Sequence, residues 1–292
     1  MSRESSFHHD RAYINLLGLQ DGSADCDNQS ISSSTIYTIS PINLRALENE
    51  TMLSIHPYIA VFILSFVGGF VDSAIFISLF GLFTASVTGN LISIVAIGER
   101  ERISRFTVTA TFFTGAAFSS IISNIAVACG AKKQKTIAAL LLSIEVIILL
   151  SLALAGHIFK DQIKTLTGVD QPLSLSLGVV ASFAMGIQNG LCRELFSSFP
   201  QTTVLTSTLV AEAQYLADFI FQQKAITLKG QSRYLFNLCP LVAFLSGAVV
   251  ASYLINTEAG YLVLLLPAFL IAILAIDVSL VSAFEIERNS NN

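Results

Sequence analysis

The sequence predicts an all-α, polytopic membrane helix bundle, and three observations lead to this fold class. Of the 292 residues, 53% are hydrophobic and only 12% are charged, whereas soluble domains have about 25% charged residues. The mean hydropathy is +0.69. The hydrophobic residues form several stretches of about 20, the length that a helix needs to cross a bilayer. A soluble domain of this composition would expose large apolar patches, which lipid covers instead.

The first element is a polar N-terminal segment, residues 1–52, which is rich in Ser, Asp and Asn. It has no sustained helical or strand period, and this composition predicts a disordered tail. It also lacks a basic region followed by an apolar run, so an ordinary signal peptide is not expected. The transmembrane domain is predicted over residues 53–284 and a short C-terminal tail over residues 285–292.

Six segments have the length and apolarity of full transmembrane helices. Pro267 lies inside the last of them and is expected to bend it, because proline removes a backbone donor. The six predicted spans are Pro57–Phe80, Phe106–Ala128, Ile137–Gly156, Leu173–Leu191, Leu235–Ile255 and Tyr261–Ser282.

Two further stretches are shorter or more polar. Thr84–Gly98 contains Thr88 and Asn90, and Thr202–Phe221 contains Glu212 among other polar residues. Each is either a full span that lines a polar cavity or a re-entrant helix that its neighbours shield from lipid. The sequence therefore predicts six full spans plus two shorter polar or re-entrant helices, and leaves eight spans as an alternative.

The basic residues fit both arrangements equally well. With eight spans, 12 of the 16 Lys and Arg residues lie on the side of the N-terminus, and with six spans 11 of them do. Cytoplasmic segments carry an excess of Lys and Arg. Both arrangements therefore place the N-terminus and the C-terminus in the cytoplasm.

The two halves of the membrane domain are predicted to be an internal repeat. Phe66–Asp72 aligns with Phe183–Asn189 at an offset of 117 residues, and Ala85–Leu91 aligns with Thr203–Leu209 one residue further on. In each half, one full span precedes the weak segment and two follow it. Membrane transport proteins commonly contain such repeats and bind their substrates between them. The predicted boundaries are about 57–156 for the first repeat and about 173–282 for the second.

Polar residues near the breaks in these helices, together with intramembrane acids, are the candidate binding residues. A break frees backbone groups to which a solute or an ion can bind. A carboxylate at membrane depth costs at least about 2.5 kcal/mol, so such acids suggest a function. The candidates for substrate binding are Asp72, Thr88, Asn90, Glu145, Gln188, Asn189, Thr206 and Glu212.

The same residues also have a structural interpretation, which the sequence does not exclude. Asp72 could accept a hydrogen bond from Gln188 or Asn189 and so join the two halves of the bundle. Glu145 could pair with Arg193, or lie in the core as a neutral acid. In this interpretation the polar groups only hold helices together.

The sequence contains no pattern that indicates a metal site, a cofactor site or catalysis. The four cysteines are isolated and the four histidines fall outside the apolar segments, so neither a zinc site nor a disulfide framework is expected. Protease, hydrolase and P-loop motifs are absent. The net charge of −4 does not suggest a nucleic-acid partner. The expected partners are membrane lipid and a small solute or ion.

Three of the segments resemble the signatures of the YoaK-like family of membrane proteins, which is catalogued as domain of unknown function 1275. They are Gly68–Asp72, Gly81–Asn90 and Met185–Asn189. The resemblance extends over about residues 57–282, and the long Ser-rich tail is similar to that of fungal members. It implies the membrane fold but no chemistry, because the family has no assigned activity.

These observations favour a small-solute or ion transporter with a site between two repeats. The alternative is a non-transporting membrane scaffold or assembly protein in which the intramembrane polar residues are structural. An enzyme that acts on lipid is less favoured, because no nucleophile–base pair or metal cluster is evident.

Overall fold

The computed structural model consists of helices and turns over the residues that it describes, so the predicted all-α class is confirmed for this part of the chain. The described residues are 55, 57–96, 99–128, 131–195, 209–210, 213–214, 217 and 228–290. The helices are α1 (Pro57–Ser78), α2 (Val87–Ala96), α3 (Glu99–Ala128), α4 (Ala131–Ile158), α5 (Lys160–Lys164), α6 (Pro172–Leu195), α7 (Leu228–Leu254) and α8 (Leu265–Ser290), and a 3₁₀ turn, Gly260–Leu264, precedes α8.

Five of these helices, α1, α3, α4, α6 and α8, are long and apolar enough to cross a membrane. Each overlaps one of the six predicted spans, although α1 ends at Ser78, before the predicted Phe80, and α8 begins at Leu265, after the predicted Tyr261. The remaining predicted span, Leu235–Ile255, overlaps α7, whose described apolar part is Leu238–Leu254. By contrast, α2 has 10 residues and is about 15 Å long, half the thickness of the hydrocarbon core. The sixth span remains a prediction, whereas α2 is too short to be a full span.

Among the five long apolar helices, α1 and α6 are the most buried and α3 is the most exposed. The helices α4 and α8 also contribute to the core, for example through Leu149 and Ile271. Large apolar side chains project outwards from the peripheral helices, among them Phe106, Ile121, Val249 and Phe269. A helix with apolar residues on all sides is typical of a membrane interior. The outward apolar surface is therefore the lipid-facing surface.

The long helices form three closely packed pairs: α1 with α7, α3 with α6, and α4 with α8. Glycines allow the first two pairs to approach backbone to backbone, because a Cβ atom on any of four glycines would overlap a carbonyl oxygen of the partner helix. These four glycine contacts are Gly69 with Phe244, Gly247 with Phe66, Gly115 with Phe183, and Gly186 with Phe112.

The directions of the paired helices follow from contacts at different heights. In the first pair, Cys239 lies 3.8 Å from the carbonyl oxygen of Tyr58, and Gly247 lies against Phe66 further along both helices. Residue numbers rise together, so α1 and α7 are parallel.

The second pair is also parallel, and the third is antiparallel. The Ser182 hydroxyl donates to the carbonyl oxygen of Val108 at 2.8 Å, and Gly190 lies against Ala116 two turns further on, so α3 and α6 run together. In the third pair, the hydroxyls of Thr136 and Ser282 lie 3.1 Å apart, and Gly156 contacts Tyr261 at the other end. Residue numbers rise along α4 as they fall along α8, so these two helices are antiparallel.

Pro267 lies close to the start of the last helix, and the predicted bend of this span stays a prediction. The 3₁₀ turn occupies Gly260–Leu264 and α8 begins at Leu265, so Pro267 lies in the first turn of the helix. The first backbone N–H groups of a helix have no intrahelical acceptor, and a proline there removes no hydrogen bond.

Several sequence-based predictions lie outside the described residues. They are the N-terminal tail over residues 1–52, the candidates Thr206 and Glu212, and all but five positions of Thr202–Phe221.

Candidate functional site

The turn at the end of α1 starts an irregular segment, residues 79–86, which leads into α2. Phe80 has a φ of 54° and Gly81 a φ of 72°, and the Gly81 N–H donates to the carbonyl oxygen of Phe76 at 2.9 Å. This bond spans five residues, as in the glycine-containing turns that commonly end helices. The chain therefore reverses here and returns towards the bundle.

Asp72 lies one and a half turns before the end of α1. Its carboxylate holds the end of the irregular segment that leads into α2. Its Oδ1 accepts the backbone N–H groups of Thr84 at 2.6 Å and Ala85 at 2.7 Å, and also the Thr84 hydroxyl at 3.2 Å. Its Oδ2 accepts the hydroxyl of Ser86 at 2.6 Å. The carboxylate is buried and satisfies donors immediately before α2, in the manner of an N-cap.

Asn90 closes the same segment from the first turn of α2. Its Oδ1 accepts the N–H of Phe83 at 3.1 Å, and its Nδ2 donates to the carbonyl oxygen of Phe83 at 2.6 Å. Both backbone groups of Phe83 are thereby paired with one buried side chain. Irregular backbone at membrane depth is tolerated only where such groups are satisfied.

Arg105 of α3 holds the opposite end of the segment. Its Nη1 donates to the carbonyl oxygen of Gly81 at 2.7 Å, and its Nη2 donates to that of Phe80 at 3.0 Å. Glu101 lies 3.9 Å from the guanidinium. A cation at the end of α1 also complements the negative end of the helix dipole. The C-terminal end of α1 and the beginning of α3 therefore lie at the same end of the bundle.

Ser182 of α6 joins this segment to the second half of the chain. Its hydroxyl lies 2.8 Å from the carbonyl oxygen of Val108 and 3.3 Å from that of Thr84. The segment is thus held by side chains from α1, α2, α3 and α6. We call residues 79–86, with Asp72, Asn90, Arg105 and Ser182, the polar loop cluster.

A family model described as "Protein of unknown function (DUF1275)" matches residues 60–276. The chain belongs to this family. The match includes the whole polar loop cluster and confirms the resemblance found in the sequence. Searches of curated proteins and of solved structures gave no match.

In this DUF1275 protein, Asp72 and Asn90 lie in one cluster. Within the described residues, the Asp72 carboxylate accepts hydrogen bonds from residues 84–86, and the alternative in which Gln188 or Asn189 donates to it is not found. Asn189 is half-buried on α6, and Thr88 is exposed on α2. Binding of a substrate by these residues remains a prediction.

Gln188 lies at the contact between α6 and α1. Its Nε2 donates to the carbonyl oxygen of Leu64 at 2.6 Å. Its Oε1 is buried and has no hydrogen-bond partner within the described residues, and the same is true of the neighbouring Ser65 hydroxyl. Both residues are fully buried, so they leave polar groups unused in the core of the bundle.

Glu145 is the second fully buried candidate. Neither of its carboxylate oxygens has a hydrogen-bond partner in the described part of the chain. The expected pairing with Arg193 is wrong, because Arg193 is exposed at the end of α6 and gives no hydrogen bond to Glu145. Asp277 of α8 is also buried, but its Oδ2 accepts the N–H of Ile55 at 3.3 Å.

The sequence did not identify Arg105, Ser182 or Ser65 as members of a polar core. Arg105 reads as one of three arginines that follow a weak helix, and a serine in an apolar segment is unremarkable. Their roles depend on which helices pack together, which local sequence patterns do not indicate. Within the described residues, no group of His, Cys, Asp and Glu is placed to hold a metal ion.

Proposed function

We propose that this protein is a membrane transporter for a small solute or ion, with its binding site between two repeats. The observation that carries this proposal is a set of fully buried polar groups with unused hydrogen-bonding capacity on four different helices. Within the described residues they include Ser65 on α1, Ser119 on α3, Glu145 on α4, and Ser174 and Gln188 on α6. A polar group left unpaired in a low-dielectric interior costs several kcal/mol. A bound polar solute, water or ion would offset part of that cost.

The polar loop cluster is not proposed as the binding site itself. Asp72 and Asn90 already use their hydrogen-bonding capacity on the backbone of residues 83–85 and on the hydroxyl of Ser86. Their proposed role is to hold a re-entrant segment in a fixed shape beside the site. Because Arg105 brings the start of α3 to the end of α1, the segment between them begins and ends on one side of the membrane.

The glycine contacts support the proposed repeat. Gly69 and Gly186 are 117 residues apart, and their contact partners, Phe244 and Phe112, are 132 residues apart. The reciprocal glycines, Gly115 and Gly247, are also 132 residues apart. Each residue of the α1–α7 contact therefore has its counterpart, at the same position of the other half, in the α6–α3 contact.

The helix directions further support an inverted repeat. The first helix of repeat 1, α1, is parallel to α7 of repeat 2, and the first helix of repeat 2, α6, is parallel to α3 of repeat 1. The last helices of the two repeats, α4 and α8, are antiparallel. Two repeats of three spans each, with opposite orientations in the membrane, have this arrangement. Both termini then lie on the same side of the membrane, and the excess of basic residues on that side favours the cytoplasm.

A membrane scaffold is the second candidate, and the polar loop cluster is the observation that favours it. Four side chains there serve only to satisfy backbone groups and to join helices. If the fully buried polar groups with unused hydrogen-bonding capacity had the same purpose, the bundle would need no solute.

The two functions can be distinguished by ligand-dependent stability and by uptake. The purified full chain is screened by thermal unfolding against amino acids, sugars, carboxylates, and inorganic cations and anions, because a ligand that binds only the folded state raises the apparent stability. A solute that raises the Tm is then tested for uptake into proteoliposomes. We expect Gln188→Leu to lose both effects, whereas the control Thr114→Val, at an exposed position on α3, keeps them. If no solute stabilises the wild type or enters the vesicles, the scaffold function is favoured.

A further inference from the structure

Glu145 has a position unlike that of the other buried acids in the described chain. It lies near the middle of α4, which extends from Ala131 to Ile158, so it is about 20 Å from each end of the helix. Its side chain is fully buried, and neither oxygen has a hydrogen-bond partner within the described residues. Asp72, which is also buried, has four donors around its carboxylate.

An ionised carboxylate in this position would have no hydrogen-bond donor among the described residues to stabilise its charge. Charged side chains in membrane interiors are paired, hydrated or neutralised, since the cost of an isolated charge is several kcal/mol or more. We propose that Glu145 carries a proton in this conformation and is the group that binds and releases the coupling proton of the transport cycle. The second half of this proposal rests on the proposed function, whereas the first half does not.

The proposed repeat gives Glu145 a counterpart with different surroundings. Asp277 follows Glu145 by 132 residues, the same offset that relates Gly115 to Gly247, and it lies on α8, which packs against α4. Asp277 receives a backbone N–H from Ile55. Equivalent positions in the two halves therefore hold one acid with a donor and one without.

No other ionisable group that the structure describes near α4 donates a hydrogen bond to the Glu145 carboxylate. This holds for the groups on α4 itself and for those on the elements that pack against it. Within the described residues they are Lys135 and His157 on α4, Glu99, Glu101, Arg102 and Arg105 on α3, Lys160, Asp161 and Lys164 on α5, Cys192 and Arg193 on α6, Tyr261 in the 3₁₀ turn, and Asp277 on α8.

Dicyclohexylcarbodiimide tests for the proton directly, because this apolar reagent enters membranes and reacts with protonated carboxyls. The carboxyl proton moves to a carbodiimide nitrogen, and the carboxylate oxygen bonds to the central carbon to give an O-acylisourea. The acyl group then moves from oxygen to nitrogen. One C–O bond breaks, one C–N bond forms, and a stable N-acylurea retains all atoms of both reactants.

The experiment treats the purified full chain in detergent at pH 7 and locates adducts by mass spectrometry. We expect Glu145 to be modified at least tenfold more than Asp72 or Asp277, and modification at that position to be lost in Glu145→Gln. Modification of Asp72 or Asp277 equal to that of Glu145 in folded protein would overturn the proposal.

A second measurement covers the case in which the reagent does not reach the side chain. The infrared C=O stretching band of a protonated carboxylic acid should be present in the wild type and in Glu145→Asp, and diminished in Glu145→Gln. If the wild type gives neither the adduct nor a band that Glu145→Gln removes, Glu145 is ionised and the proposal is wrong.

Uptake measurements separate the two proposals. If Glu145 is protonated but no solute of the panel enters proteoliposomes, the transport function fails and the protonated acid stands. If a solute is transported and Glu145→Gln leaves its dependence on a proton gradient unchanged, transport stands and the coupling role of Glu145 is wrong.

Discussion

Asp72 and Glu145 are both buried acids, but their surroundings differ in kind. Asp72 receives two backbone N–H groups and two hydroxyls, whereas Glu145 receives no hydrogen bond from the described residues. Both are carboxylic acids in apolar helices, so the sequence alone does not distinguish them. A side chain that satisfies backbone groups is needed for folding, and one with unused capacity is available for a ligand. The difference therefore separates a structural acid from a candidate functional one.

We expect Asp72→Ala to destabilise the protein by about 2–6 kcal/mol, because it leaves the buried N–H groups of Thr84 and Ala85 without an acceptor, at about 1–3 kcal/mol each. Asp72→Asn should cost less, since its amide oxygen can still accept both N–H groups. Chemical denaturation in detergent measures the difference, with the exposed Asp161→Ala as control. Equal stability of Asp72→Ala and the control would contradict the capping role.

Arg105→Lys tests the role of the guanidinium fork. One ammonium group cannot reproduce the paired geometry with which Arg105 contacts the carbonyl oxygens of Phe80 and Gly81. We expect a loss of about 1–3 kcal/mol, against less than about 0.5 kcal/mol for Arg193→Lys at an exposed position. Thermal unfolding of the two variants in parallel checks this. A Tm unchanged by Arg105→Lys would mean that the charge alone suffices.

Close helix pairs are the elements on which the bundle depends. In lipid, helices gain little from burying apolar side chains against each other, so small residues that permit backbone contact contribute more to association. α1 and α7 meet in this way, and so do α3 and α6. The polar loop cluster then fills the space at one end of these pairs.

Gly69→Ala and Gly247→Ala should each destabilise the protein by about 1–3 kcal/mol, because a methyl group at either position overlaps the partner backbone. The two changes affect one interface, so their double variant should be less destabilised than the sum of the single ones. Gly69→Ala combined with Gly186→Ala, which affects the other pair, should be additive within about 0.5 kcal/mol. Exposed Ala117→Val is the control. Additivity within a pair would show that the two glycines do not share an interface.

At the scale of the whole molecule, two of the described loops lie at the same end of the helix bundle. Gly156 at the end of α4 contacts Tyr261 before α8, which places the loops around Thr165 and Glu258 at one end. The proposed inverted repeat puts both termini at the other end.

Single cysteines introduced at Thr165 and Glu258, with the native cysteines replaced by serine, test this topology. Both positions are exposed, and we expect an impermeant maleimide to label both from the same side in intact cells. Fluorescent tags at the two termini should be protected from that side. Labelling of Thr165 and Glu258 from opposite sides would be inconsistent with six spans.

The polytopic helical class followed from the sequence alone, because crossing hydrocarbon requires long apolar segments whose backbone groups are paired internally. Five of the six predicted spans were located to within a few residues for the same reason, apart from starts such as that of α8, where a 3₁₀ turn precedes Pro267. The sixth, Leu235–Ile255, stays a prediction. The polar breaks were also visible, since Gly, Thr and Asn stand out in apolar surroundings.

Only the tertiary structure decided what each polar group does. Asp72 and Gln188 are similar as isolated polar residues in apolar helices, but one is saturated by its own loop and the other retains a buried, unpaired oxygen. Arg105 and Ser182 belong to the polar loop cluster because α3 and α6 pack beside residues 79–86. Hydrogen bonds depend on positions of atoms that are distant in the chain, whereas insertion into a bilayer depends on the summed hydropathy of adjacent residues.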